Sequence, residues 1–241
     1  DCDVPVERGN ILDDTRIRAV MPTLQLLLEH DAAKIIILTH LGRPGGKPVD
    51  SLSVAPVRAR LGELVDMSQV ELLENLRFYE GEETNDPVFA KKLASLADIY
   101  VNDAFAMCHR NHASIVGVTH FLPHFAGFHL EKEITNLTNA MENPKRPLVV
   151  IIGGKKIETK LPLVEKMHRI ADYVLVGGKI AEESQVFLKV KRKKIIGRKS
   201  VLLVADLTPD GTCITEKSLY NFLDIIAIAK TVVWNGSMGI I

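Results

Sequence analysis

Short runs of consecutive apolar residues alternate with longer stretches in which apolar positions recur every three or four residues. The apolar runs lie at residues 34–39, 99–102, 148–152, 173–176 and 231–234. Uninterrupted apolarity of this kind predicts strands that are buried on both faces of a parallel sheet. The helical spacing lies at residues 16–29, 54–65, 86–97, 161–170 and 219–229. The alternation predicts an α/β fold whose parallel strands are joined by helical crossovers.

A polar helical stretch at residues 130–141 is followed by the sequence ENPKRP at residues 142–147, which breaks the helical pattern. A new buried strand begins directly afterwards, so we interpret the helix as a connector between two domains. The pattern predicts two Rossmann-like, three-layer domains with parallel sheets, one at residues 1–143 and one at residues 144–241. In such folds ligands bind beyond the carboxyl ends of the strands, so the segments that follow the strands are the candidates for a binding site.

The composition is that of an ordinary globular protein, with 46% hydrophobic and 25% charged residues. The 30 basic and 30 acidic side chains balance, which argues against a dedicated nucleic-acid or membrane-surface binder. The basic segment KVKRKKIIGRK at residues 189–199 keeps an RNA-binding patch open as a minor alternative to a solvated loop. No apolar run approaches the roughly 18 residues that a membrane helix needs. The 3 cysteines form no CxxC pair, which is typical of reduced thiols in a cytoplasmic protein.

Cationic side chains cluster at strand ends and helix starts in the first half of the chain. His40 and Arg43 lie in the sequence HLGRPGG directly after a predicted strand, and Arg110 follows a later strand. Arg77 lies in the sequence ENLRF, and Arg16 opens the first helix. The planar guanidinium fork binds carboxylates and phosphates through two parallel hydrogen bonds. Any one of these residues alone fits a solvated surface position, but together they predict a site for a small ligand with several negative charges.

Two glycines and two lysines follow a buried strand in the second half. The sequence GGKKIETK at residues 153–160 contains Gly153, Gly154, Lys156 and Lys160, and a helix follows it. Glycine lets a phosphate approach the backbone, and a helix N-terminus offers free N–H groups. The two lysines are four residues apart, so they share a face on a helical turn. The segment lacks the spacing of a P-loop, and it fits either a phosphate site or an ordinary turn with solvated lysines.

Six segments of the first half form a recognisable series. They are DCDVP at residues 1–5, DDTRIRA at 13–19, THLGRP at 39–44, ENLRF at 74–78, DIYVNDAF at 98–105 and HRNHAS at 109–114. In this order they resemble the signature sequences of phosphoglycerate kinase. The resemblance implies a glycolytic phosphotransferase, cytoplasmic and monomeric, that moves a phosphoryl group reversibly between 1,3-bisphosphoglycerate and ADP, giving 3-phosphoglycerate and ATP. It assigns the phosphoglycerate to Asp1, Asp3, Arg16, His40, Arg43, Arg77 and Arg110.

In the second half, GGKKIETK, the pair at residues 177–178 and TVVWNGSMG at residues 231–239 resemble the nucleotide-binding segments of the same family. The resemblance assigns the nucleotide to Gly153, Gly154, Lys156, Lys160, Gly177, Gly178 and Asn235. Trp234, taken alone, indicates a core aromatic residue. Mg²⁺ would arrive with ADP or ATP, and no metal ligand is assigned because the family's magnesium aspartate would lie beyond residue 241. The implied mechanism is in-line transfer stabilised by Arg16, Lys160 and Mg²⁺, with domain closure excluding water.

Several positions depart from the family pattern. Asp3 replaces an asparagine, which would weaken substrate binding if its carboxyl group is ionised. AMC at residues 106–108 replaces Gly-Thr-Ala in the loop that aims Arg110, Lys179 replaces a glycine beside the adenine, and Ser237 replaces a proline. Compared with the family pattern, the chain also looks truncated at both ends, and its second domain would be incomplete. We therefore expect it to bind 3-phosphoglycerate better than MgADP, and the alternative is a non-catalytic remnant that keeps only the phosphoglycerate site.

Overall fold

A computed structural model describes residues 1–30, 32–154, 157–181, 184 and 200–239. The chain divides into two compact units, unit 1 at Asp1–Ile134 and unit 2 at Thr135–Ile241. The domain limits at residues 143 and 144 stay a prediction, and the basic segment at residues 189–199 lies outside the described residues. Within the described ranges, no helix is long and apolar enough to cross a membrane.

The strands of unit 1 pair two by two. β1 (Val6–Glu7) and β2 (Asn10–Ile11) form an antiparallel hairpin. β3 (Ile35–Ile37) pairs in parallel with β4 (Val70–Leu72), and β5 (Tyr100–Asn102) pairs in parallel with β6 (His124–Ala126). The sequence predicted β3 and β5. It did not reveal β4 or β6, because Val-Glu-Leu and His-Phe-Ala are too short and too mixed in polarity to stand out.

Five described helices belong to unit 1: α1 (Thr15–Ala19), α2 (Met21–Glu29), α3 (Ala55–Leu64), α4 (Glu80–Glu83) and α5 (Pro87–Ala94). The prediction of one helix at residues 16–29 is wrong, because Val20 ends α1 and Pro22 stands in the first turn of α2. Proline lacks a backbone N–H and has a fixed φ angle, so a first turn accepts it but a helix interior does not.

Unit 2 contains a single parallel sheet in its described residues. α6 (Phe128–Glu142) leads into it, and its strands are β7 (Leu148–Ile152), β8 (Tyr173–Val176), β9 (Val201–Val204) and β10 (Thr231–Asn235). The spatial order is β10–β7–β8–β9, and α7 (Ile157–Ile170) and α8 (Glu216–Ala227) accompany the sheet. The predicted α/β fold with parallel sheets is confirmed.

Both faces of β7 are buried. Val150 packs in one apolar cluster with Val164 and Met167 of α7. Ile151, the next residue, packs in a second cluster with Phe222 of α8. Successive side chains of a strand point to opposite faces, so one helix covers each side of the sheet. This three-layer arrangement is the reason that the sequence of β7 is apolar without interruption.

Trp234 is not a core residue, contrary to the expectation from its aromatic character. Its exposed fraction is 63%, whereas its neighbour Val233 packs against the cluster on the α7 side of the sheet. Because side chains alternate along β10, Trp234 faces the opposite side of an edge strand. Its indole N–H donates a hydrogen bond to the carbonyl oxygen of Gly236 at 2.7 Å.

Candidate functional site

The first residues of the chain are attached to the loop that follows β3. Cys2 is buried in the core of unit 1 between the partly exposed Asp1 and Asp3. Its backbone N–H donates to the hydroxyl oxygen of Thr39 at 3.0 Å. The carboxylate Oδ1 of Asp3 accepts a hydrogen bond from the backbone N–H of Gly42 at 2.9 Å. These bonds hold the DCDVP and HLGRP segments side by side.

Asn75 holds the same loop in place, although no role was predicted for it. Its side chain is fully buried, and its Nδ2 donates to the carbonyl oxygens of Leu41 at 2.7 Å and Leu52 at 2.9 Å. Its Oδ1 accepts from the backbone N–H of Arg77 at 3.0 Å, and Nη1 of Arg77 donates to the carbonyl oxygen of Gly42 at 2.7 Å. A buried amide with its hydrogen bonds satisfied holds its partners in one arrangement. The signal in the sequence was a polar residue just before the predicted arginine.

Arg77 is the buried arginine of this region, with an exposed fraction of 5%. Its Nε lies 3.5 Å from Oε1 of Glu83. Burial lowers the pKa of Arg77, and the negative charges of Glu83 and Asp3 oppose this effect. The positive charges of Arg110 and Arg43 lower the pKa of Arg77 further, because like charges disfavour its protonated form. Arg43 and Arg110 therefore belong to the same region of positive potential.

Asp3 and His40 face each other within this region. Nε2 of His40, a buried residue, lies 3.5 Å from Oδ2 of Asp3. Burial by itself would raise the pKa of Asp3. Hydrogen bonds from His40 and from the Gly42 N–H, together with the positive charge of Arg16, outweigh burial and lower the pKa of Asp3 to about 2. The Asp3 carboxylate is therefore ionised at neutral pH.

Arg16 reaches this region from the start of α1. Its Nη1 lies 3.0 Å from Oδ2 of Asp1, and half of its side chain stays exposed. Arg43 and Arg110 are also exposed. Contacts and mutual electrostatic effects thus connect every residue that the sequence assigned to the phosphoglycerate site: Asp1, Asp3, Arg16, His40, Arg43, Arg77 and Arg110.

A buried carboxylate forms a second polar cluster in unit 1. Glu82 is 3% exposed and accepts hydrogen bonds from the backbone N–H of Ser114 at 3.0 Å and from its hydroxyl at 2.6 Å. Nδ1 of His112 lies 3.6 Å from Oε1 of Glu82. Burial raises the pKa of Glu82, and burial lowers the pKa of His112. No role was predicted for Glu82, because it lies in an acidic run and nothing in the sequence distinguishes it from the neighbouring glutamates.

Three glycine-containing turns in unit 2 meet backbone to backbone at the carboxyl ends of β7, β8 and β10. A Cβ atom on Gly153 would lie 2.1 Å from the carbonyl oxygen of Ser237. A Cβ atom on Gly236 would lie 2.3 Å from the carbonyl oxygen of Gly153, and one on Gly178 would lie 2.9 Å from the backbone nitrogen of Gly154. Only residues without a side chain allow such an approach. The glycines therefore let the three turns pack directly against one another at this edge of the sheet.

Lys160 of α7 reaches the same edge. Its Nζ donates a hydrogen bond to Oδ1 of Asn235, the last residue of β10. The backbone N–H of Gly153 donates to the carbonyl oxygen of Asn235 at 2.9 Å. Lys179 is exposed directly after the β8 turn, and Lys156 lies outside the described residues. The residues with predicted nucleotide roles that come together here are Gly153, Gly154, Lys160, Gly177, Gly178 and Asn235.

No group of three or more His, Cys, Asp and Glu side chains in the described part of the chain is placed to hold a metal ion.

The sequence matches the family model described as "Phosphoglycerate kinase" over residues 1–71 and 66–210. It is 40% identical to the chloroplastic phosphoglycerate kinase of Volvox carteri, covering 100% of this chain and 66% of the relative. It is 38% identical to the phosphoglycerate kinase of Moorella thermoacetica, covering 100% of this chain and 77% of the relative. The chain thus spans slightly less than two thirds of the algal protein. These relatives are named as kinases, so they do not favour the alternative of a non-catalytic remnant.

Two solved structures resemble this fold. The phosphoglycerate kinase of Coxiella burnetii has a TM-score of 0.78 at 31% sequence identity, and the match covers 99% of this chain and 76% of that chain. The phosphoglycerate kinase of Pyrococcus horikoshii OT3 has a TM-score of 0.79 at 26% identity, with coverage of 99% and 77%.

The alignment with the Volvox protein extends over 305 positions, although this chain has 241 residues. The relative therefore carries internal residues that have no counterpart here. The two matches to the family model overlap at residues 66–71, which comprise the turn before β4 and the first two residues of that strand.

Proposed function

Because the chain belongs to the phosphoglycerate kinase family, we propose that it serves the reversible transfer of a phosphoryl group between 1,3-bisphosphoglycerate and ADP, giving 3-phosphoglycerate and ATP in glycolysis. The observation that carries this proposal is the cationic region of unit 1. There the buried Arg77 lies close enough to the exposed Arg43 and Arg110 to feel their charges, and the buried His40 faces Asp3. Such a region suits a small ligand with both phosphate and carboxylate groups.

In unit 1, the arginines differ in what they offer a ligand. The guanidinium of Arg77 donates to the carbonyl oxygen of Gly42 and lies beside Glu83, so it is held in place before a ligand arrives. Arg43 and Arg110 are exposed and free to close on an anion. Fixed donors lower the entropic cost of binding, whereas exposed ones attract the ligand from solution. We assign phosphoglycerate binding to this region.

In unit 2, the glycine turns at the carboxyl ends of β7, β8 and β10 are the proposed site for the phosphates of a nucleotide. Gly153 and Gly178 are buried against neighbouring backbone, and Gly154, which is partly exposed, is the glycine of this edge that a phosphate could approach. Lys160, which hydrogen-bonds to Asn235, supplies a positive charge at this edge. We assign ADP or ATP to this edge, with Lys160 as the residue that neutralises the transferring group.

For phosphoryl transfer, the protein must position the two substrates and supply positive charge to the transferring group. No general base is required, because the acceptor is a carboxylate or an ADP phosphate that is ionised at neutral pH. Arg16 keeps half of its side chain exposed beyond its contact with Asp1, so its charge is available to the transferring phosphoryl group. Mg²⁺ bound to the nucleotide would neutralise phosphate charge.

The location and the assembly state of the protein belong to the same proposal. We propose a cytoplasmic monomer that binds neither nucleic acid nor membranes, since basic and acidic residues balance and the cysteines are free thiols. Gel filtration with light scattering tests the monomer, and fractionation of the source cells tests the location. RNA binding that weakens with salt and disappears when residues 191–194 are neutralised would contradict the proposal.

Calorimetric titration with 3-phosphoglycerate and with MgADP tests the ligand assignments. We expect Arg43→Ala to abolish 3-phosphoglycerate binding and Lys160→Ala to leave it unchanged. Lys91→Ala, which removes an exposed charge from α5, is the control. A coupled assay of ATP formation measures turnover, and equal loss of 3-phosphoglycerate binding in Lys160→Ala would contradict the assignment of this ligand to unit 1.

A further inference from the structure

We propose that Asp3 is a specificity-determining residue of the phosphoglycerate site, whose fixed negative charge weakens binding more strongly the more negative charge the ligand carries. This inference rests on the proposed function, because it concerns the same cationic region of unit 1. The arginines attract anionic ligands, and the Asp3 carboxylate discriminates among those ligands by their charge.

The position of Asp3 is fixed by two contacts. Oδ1 accepts the hydrogen bond from the Gly42 N–H at 2.9 Å, and Oδ2 lies 3.5 Å from Nε2 of His40. The carboxylate therefore cannot rotate away when a ligand arrives. Its side chain is 34% exposed, so the charge still faces the solvent from which the ligand comes.

The other carboxylates of this region differ from Asp3 in burial or in their partners. Asp1 forms an ion pair with Arg16 at 3.0 Å, and its side chain is only 8% exposed. Glu83 lies beside the Nε of Arg77, and Glu82 is buried with Ser114. Asp3 is thus the carboxylate that combines exposure with a place among the residues assigned to the ligand.

The effect of this charge follows from Coulomb's law. A unit charge that faces another of the same sign across a few ångström at a protein surface weakens binding by about tenfold. The repulsion grows with the charge of the ligand and is screened by salt. If Asp3 acted only through its shape or its hydrogen bonds, its effect on binding would depend neither on the charge of the ligand nor on the salt concentration.

Asparagine at this position separates charge from shape. Its Oδ1 can accept the same hydrogen bond from Gly42, and its Nδ2 would face Nε2 of His40 in place of the second carboxylate oxygen. The experiment therefore compares the unmodified chain with Asp3→Asn. Asp98→Asn, at an exposed bend before β5, removes one negative charge outside the site and is the control.

The test is calorimetric titration of the three proteins with 3-phosphoglycerate and with glycerol 3-phosphate, which lacks the carboxylate. We expect Asp3→Asn to bind 3-phosphoglycerate about tenfold more tightly and glycerol 3-phosphate about threefold more tightly than the unmodified chain. Both gains should shrink when the salt concentration rises from 0.05 M to 0.5 M. Asp98→Asn should match the unmodified chain.

The outcomes separate the inference from the proposed function. Equal or weaker binding of 3-phosphoglycerate by Asp3→Asn overturns the inference, as does an equal gain for both ligands or the same gain in Asp98→Asn. If no protein binds 3-phosphoglycerate at millimolar concentration, the proposed function itself fails and the inference falls with it.

Discussion

The hydroxyl of Ser114 donates a hydrogen bond of 2.6 Å to the buried carboxylate of Glu82. The backbone N–H of the same serine donates to the other carboxylate oxygen at 3.0 Å. The pair joins α4 to the HRNHAS segment, which contains Arg110. A buried carboxylate depends on its donors, because desolvation is costly for a polar group without partners.

We therefore expect Ser114→Ala to lower the free energy of unfolding by about 1–3 kcal/mol, since it leaves an oxygen of Glu82 without its hydroxyl donor. Urea unfolding followed by circular dichroism measures the change. Ser95→Ala is the control, because the exposed Ser95 hydroxyl donates only to the carbonyl oxygen of Lys92. An equal loss in both variants would show that the hydrogen bond to the buried Glu82 contributes no more to the free energy of unfolding than the exposed bond of Ser95.

The start of α6 depends on side chains from two other elements. The Thr23 hydroxyl accepts a hydrogen bond from the backbone N–H of Phe128 at 2.9 Å, and Oδ1 of Asp103 accepts from the N–H of Leu130 at 3.0 Å. We expect Asp103→Ala to lower the free energy of unfolding by about 1 kcal/mol and Asp103→Asn to cost much less, because the amide oxygen can still accept. Urea unfolding of both variants is the measurement, and equal losses would contradict a capping role.

Alanine should have opposite effects at two glycines. A Cβ atom on Gly62 of α3 meets only the Met67 side chain, at an ordinary 3.7 Å. Gly62→Ala should therefore raise the free energy of unfolding by about 0.5–1 kcal/mol through helix propensity. Gly153→Ala should lower it by about 3 kcal/mol, because the new methyl group collides with the carbonyl oxygen of Ser237.

Thermal or urea unfolding of the two glycine variants, side by side, provides the comparison. The prediction is one of sign, so each variant serves as the control for the other. A stable Gly153→Ala protein would mean that the backbone turns at the ends of β7 and β10 are not in contact.

Asp3 should make unfolding sensitive to acid. Its folded pKa of about 2 lies below its usual value of 3.8, so the folded state binds fewer protons than the unfolded state between these values. The contribution of the ionised Asp3 carboxylate to the free energy of unfolding is complete above about pH 4 and is lost as the pH falls through about 2. Urea unfolding at a series of pH values should show that the advantage over Asp3→Asn at pH 6 disappears by pH 2. A difference that stays constant with pH would contradict the lowered pKa.

The sequence predicted three strands of the unit 2 sheet, β7, β8 and β10, because a strand with helices on both faces must be apolar at every position. It did not predict β9 (Val201–Val204). It predicted unit 1 less completely, since β4 and β6 are three residues long and carry Glu71 and His124. The grouping of the cationic residues could be predicted because ligands of α/β folds bind beyond the carboxyl ends of the strands, and their role in binding phosphoglycerate stays a prediction. Asn75 and Glu82 could not, because their partners Leu41 and Ser114 are 34 and 32 residues away along the chain.

The alternation of Val150 and Ile151 between two apolar clusters limits how this family can change its length. One inserted or deleted residue inside β7 would send each cluster's side chains to the wrong face of the sheet. Insertions and deletions are therefore tolerated between strands and not within them.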